Sequence, residues 1–66
     1  MAVLKVIEVL SNSKVSWEDA TQNAVSQASK TVKNIKSVYV AEQSAIVEGD
    51  KVTEYRVNLR LTFEIK

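Results

Sequence analysis

The last fifteen residues, VTEYRVNLRLTFEIK, alternate apolar and polar side chains almost without a break. A period of two over such a length marks a strand with one dry and one wet face. Tyr55, Val57, Leu59, Leu61, Phe63 and Ile65 share the dry face. Glu54, Arg56, Asn58, Arg60, Thr62 and Glu64 share the other. A strand over residues 52–65 extends about 46 Å at 3.3 Å per residue, and a chain of 66 residues has little left to cover it.

At that length the chain is one domain, residues 1–66, near the lower limit at which a single core suffices. It has no Cys and no His. Disulfides, thiolate zinc sites and histidine acid–base chemistry are thereby excluded, and oligomerisation is the stabilising device that remains. Nine Lys and Arg against eight Asp and Glu leave a net charge of +1, too balanced for nucleic acid or an anionic membrane to be the main partner. The opening MAVLKVIEVL is apolar but broken by Lys5 and Glu8. Without a basic leader or a cleavage motif it reads as neither signal peptide nor membrane span, and a cytoplasmic location is the default expectation.

Residues 2–12, rich in β-branched and aliphatic side chains, predict a largely covered strand. Ser16 is a natural N-cap, with Glu18 and Asp19 in the first turn behind it and Lys30, Lys33 and Lys36 further on. The pattern predicts a helix over 17–35 whose buried stripe is Trp17, Ala20, Ala24, Ala28, Val32 and Ile35, with Val25 beside it. Residues 37–47 predict a second strand and EGDK at 48–51 a turn around Gly49, the only glycine. The order is β-α-β-β, an α+β fold with a three-stranded antiparallel sheet packed on one helix. A nineteen-residue helix covers only about 28 Å at 1.5 Å per residue, so the sheet outruns it. Copies of the same chain are the simplest cover for the excess; a bent sheet that wraps the helix is the monomeric alternative.

Few residues invite chemistry. The seven serines lack His or Cys partners to activate them, so no enzyme is expected. Trp17 reads as a core or subunit-contact residue rather than a ligand platform. The three lysines read as compensation of the helix dipole, and Arg56 and Arg60 as partners of Glu54, Asn58 or Glu64 across strands rather than holders of an anion.

The helix start S-W-E-D-A at Ser16–Ala20, the segment A-S-K-T-V-K-N-I at Ala28–Ile35, the pair Glu42–Gln43, and Tyr55 with Phe63 together resemble the dodecin family over essentially the whole chain. The resemblance implies a homododecamer forming a hollow shell, which stores small ligands rather than turning them over. Many dodecins stack riboflavin or flavin mononucleotide (FMN) on a tryptophan just after the helix and hydrogen-bond it through a glutamine on the last strand. Here Ser37 and Arg56 occupy those two positions, and Gln43 counts as a third cofactor-side residue. A serine offers no aromatic face, and arginine donates but cannot accept, so tight flavin stacking is not expected. In this the chain is similar to the calcium-binding dodecins, with Glu48 and Asp50 around Gly49 as the metal candidates; two carboxylates beside a glycine are also an ordinary turn. Three readings stay open: an ion or small-ligand storage shell, a flavin-storing dodecin with an altered pocket, and a structural assembly without a dedicated ligand.

Overall fold

The computed structural model describes residues 2–66. Its elements are β1 (Val3–Ser13), α1 (Trp17–Ala28), β2 (Ile35–Glu48) and β3 (Lys51–Ile65). The sheet order is β1-β3-β2 with both pairings antiparallel, so the long alternating strand lies at the centre, where its backbone is paired on both sides. Gly49 takes φ 65° in the two-residue link between Glu48 and Lys51, which pair directly. Glycine at positive φ in the first position of such a link matches the twist of a hairpin.

The core forms where the helix meets β3. Ala20 and Ala24 pack on Val57 and Leu59, with Val9 and Trp17 against them. Ala20 and Ala24 belong to the buried stripe that the sequence predicted, and such small side chains let a helix approach its sheet closely. The helix start is tied twice. Ser16 is extended (φ −169°, ψ 167°) and its hydroxyl accepts from the Asp19 amide, at 2.9 Å. Buried Ser13 donates its hydroxyl to Asp19 Oδ2 at 2.7 Å and accepts from the Val15 amide at 2.9 Å. The chain turn between β1 and α1 is thus satisfied internally.

Three expectations change. The helix ends at Ala28 rather than at residue 35. After it the amides of Lys30 and Thr31 bond three residues back, to Gln27 and Ala28, and Asn34 takes φ 65°, a left-handed conformation that stops a helix. Ile35 therefore belongs to β2, opposite Phe63, and the lysines at 30, 33 and 36 lie beyond the helix, so they do not compensate its dipole. Finally, β1 is not largely covered: Leu4, Val6 and Leu10 are exposed on the rungs of Glu64, Thr62 and Asn58, the face away from the helix.

The size mismatch is larger than the sequence predicted. Twelve helical residues span about 18 Å, whereas the protein is 50 × 20 × 13 Å. Its radius of gyration is 13.5 Å, against about 11 Å for a compact domain of this length. The exposed surface of 4810 Å² exceeds the roughly 4,200 Å² expected of a folded monomer of 7.4 kDa. A sheet that bent around the helix would show neither excess.

Replacing Ser16 by Ala removes the cap bond to Asp19. Urea unfolding followed by circular dichroism should show about 1 kcal/mol lost. Leu59→Asp, which places a carboxylate at a fully buried core position, should leave no cooperative transition at all.

Candidate functional site

The helix leans towards one side of the sheet. It covers β1 and β3 and leaves an open groove against β2, 370 Å³ at the end nearer Trp17 and a further 280 Å³ beyond it. Its walls are Trp17, Thr21 and Val25 from α1 and Val38, Val40 and Gln43 from β2. Ile35, Lys36 and Ser37 border the far end. The two valines of β2 remain 37% and 38% exposed, so this is apolar surface without a lid. Trp17 is fixed at the mouth: its indole Nε1 donates to the Ser44 carbonyl at 2.9 Å and its ring meets Tyr55 edge-on, centroids 5.0 Å apart.

The opposite face of the sheet is polar along β3. Arg56 Nε donates to Asn12 Oδ1 at 2.9 Å, and Asn12 Nδ2 donates to Glu54 at 3.3 Å. Arg60 lies over the Tyr39 ring, 5.8 Å from its centroid. Both arginines therefore engage neighbouring strands, but through Asn12 and Tyr39 rather than through the expected Glu54, Asn58 or Glu64. Between them Asn58 donates to Glu42 Oε1 at 3.4 Å, while its own Oδ1 is shut from solvent with no partner. A buried acceptor left unpaired is uncommon and costs about 1–3 kcal/mol.

The three cofactor-side positions do not converge within one chain. Gln43 lines the groove near Trp17 and Ser37 borders its other end. Arg56 is bonded to Asn12 on the far face. In register Ser37 is level with Thr62, six residues along β3 from Arg56, or about 20 Å. A ligand touching both would have to take them from different copies.

The metal candidates fare similarly. Glu48 and Asp50 are exposed at the hairpin tip, and among the described residues no three acidic side chains come together in a way that could hold an ion. Calcium takes six to eight oxygens, so the donors of one chain do not make a calcium site.

Sequence reasoning missed Asn58 and the groove. Alternation marked Asn58 as wet, and only the strands on either side close it off. The groove depends on two irregularities in β2, between Ile35 and Ser37 and between Val40 and Glu42, which shift the side-chain alternation twice and have no composition signal.

Comparison with known proteins agrees with this architecture. The Dodecin family model matches residues 3–66. The calcium dodecin of Mycobacterium tuberculosis is 35% identical over 66 residues, covering 100% of this chain and 93% of that protein. The crystal structure of that calcium-chelating antigen, with a novel calcium-binding site, superposes with a TM-score of 0.83 over 97% of this chain and 91% of its own, again at 35% identity. The Streptomyces coelicolor dodecin reaches a TM-score of 0.93 at 28% identity, covering 98% and 93% of the two chains. A point mutant of the Thermus thermophilus dodecin also reaches 0.93, at 29% identity, over 100% and 98%. With the β-α-β-β order, the central β3 and a family match along nearly its whole length, the chain belongs to the dodecin family.

Proposed function

We propose that this dodecin is a non-enzymatic storage protein of the cytoplasm that works as a hollow homododecamer and takes up small ligands or ions, calcium before flavin. The observation that carries the assembly is the uncovered dry face. By register Val47 and Val52 at the hairpin end, and Val3 and Ile65 at the other, lie on the helix side of the sheet beyond the helix, and all four are at least half exposed. Burying them between copies is favourable by about 25 cal/mol per Å² of apolar surface.

Calcium is favoured by the donor chemistry together with the similarity to the M. tuberculosis protein. The chain has oxygen donors in two places, Glu48 and Asp50 at the tip and Glu8, Glu42 and Glu54 on the polar face. Neither set is sufficient alone, so an ion would be held by carboxylates of more than one copy. Flavin is disfavoured because Ser37 offers no ring and Arg56 is engaged with Asn12. No helix among the described residues is long and apolar enough to cross a membrane.

Native mass spectrometry tests the reading. Twelve chains of 7.4 kDa give a particle of about 89 kDa, and calcium should add mass where riboflavin and FMN add little. Glu42→Gln, and separately Glu48→Gln with Asp50→Asn, should tell the two donor sets apart. A monomer would overturn the assembly, and a dodecamer that takes up none of the three would leave the purely structural reading.

The flavin positions can be tested directly. Ser37→Trp with Arg56→Gln should strengthen flavin binding by about tenfold, read as quenching of flavin fluorescence. That corresponds to about 1.4 kcal/mol, within the range for a restored stacking contact plus one hydrogen bond. Unchanged quenching would mean that the family's flavin pocket is not formed by this chain.

A further inference from the structure

Two unpaired features of one chain have matching dimensions. The first is the hairpin arm. β1 ends at Ser13, level with Tyr55, and past that rung β2 and β3 continue alone to the Gly49–Asp50 turn, a two-stranded ribbon about 15 Å long. An isolated two-stranded ribbon is marginal in water. Its helix-side face carries Val47 and Val52, paired directly with each other and 58% and 51% exposed. The second feature is the α1–β2 groove. It runs from Gln43, level with Val57, to Ile35, level with Phe63, or about 20 Å, and its floor is apolar.

Their charges match as well. The arm's tip carries Glu48 and Asp50 with Lys51 opposite Glu48, one net negative charge, and the groove ends at Lys36, with Lys33 three residues before it. Lys36 meets Glu64 at 3.7 Å, a long contact in which the lysine side chain stays more than half exposed, so it is restrained only weakly. The surface that the chain exposes beyond a compact monomer, about 600 Å² by the comparison with the size rule, is of the order of the 800 Å² per partner that a stable interface buries.

We propose that the free hairpin arm of one copy seats in the α1–β2 groove of the next, entering at the Trp17 end with its tip at Lys36. This rests on the self-assembly reading above and adds to it which surfaces meet. Val47 and Val52 then pack over Val38 and Val40, and the lysines supply counter-charges for Glu48 and Asp50, leaving the polar-face carboxylates as the donors for calcium. Arm and groove are different patches, so the contact is heterologous: each copy offers one of each, and repetition must either close into a ring or run on as a fibre. A closed shell needs such rings.

Because the chain has no cysteine, thiols can be placed at will. Val52→Cys is combined in turn with Val38→Cys and with Val40→Cys, each native residue being at least a third exposed, so the fold is retained. Positions 38 and 52 are nine β3 residues apart in register, about 30 Å, far beyond the 7 Å that a disulfide tolerates, so no bridge can form within a chain. Mild oxidation of the assembled protein with diamide should convert at least half of a double variant into covalent trimers or larger on a non-reducing gel. Each single variant should remain monomeric on the same gel. An assembled particle whose double variants give no species above dimer overturns the arm-in-groove contact while leaving assembly standing. A protein that is monomeric by native mass spectrometry overturns both.

Discussion

A fifteen-residue strand cannot be matched by a twelve-residue helix lying along it, because a strand advances more than twice as far per residue. The helix shields the middle of β3, where Val57, Leu59 and Leu61 are fully buried, and leaves apolar side chains bare at both ends. The rest of the molecule follows from that mismatch. The core is small because the overlap is short, the shape is elongated because the sheet stays extended, and the hairpin arm stands free because β1 stops at Ser13. On the proposed reading, single-chain stability and assembly are coupled, as in any small domain that completes its core with a neighbour.

How far this could be read from the residues differs by element. The alternation of residues 54–65 survives intact because β3 is central and its dry face packs on one partner throughout the middle; before it, an irregularity at Thr53 turns Val52 to the helix side, opposite Val47. The helix start was equally legible, since Ser16 and Asp19 act through bonds to their own neighbours. The helix end was not. Val32 and Ile35 continue the helical spacing from Ala28, yet Ile35 serves β2 opposite Phe63, and period alone cannot tell a fourth helical turn from the approach to a strand. The decisive element is Asn34 at positive φ, one of the few non-glycine residue types that accept that conformation readily.

The candidate site was legible only in part, for a similar reason. Ser37, Gln43 and Arg56 were identified by the family pattern, but their placement depends on the two irregularities in β2, each of which reverses the side-chain alternation. As a result Gln43, opposite Val57, faces the groove, while Ser37, opposite Thr62, borders only its far end and shares the face on which Arg56 is bonded. The tip carboxylates were readable as a turn, and a turn is what they form.

Such separation limits what one protomer can do. Residues that a flavin would have to touch together stand about 20 Å apart along β3, and carboxylates that an ion would have to gather lie in two regions, in neither of which three come together among the described residues. On the proposed reading, binding would be a property of the contacts between copies, and affinity for a ligand would rise and fall with assembly. Asn58 is an unsatisfied point of the polar face: its amide oxygen, shut from solvent between the flanking strands, has no partner in the single chain. The further donors that an ion needs would come only with an assembly, for which the apolar ends of β3 would supply the driving force.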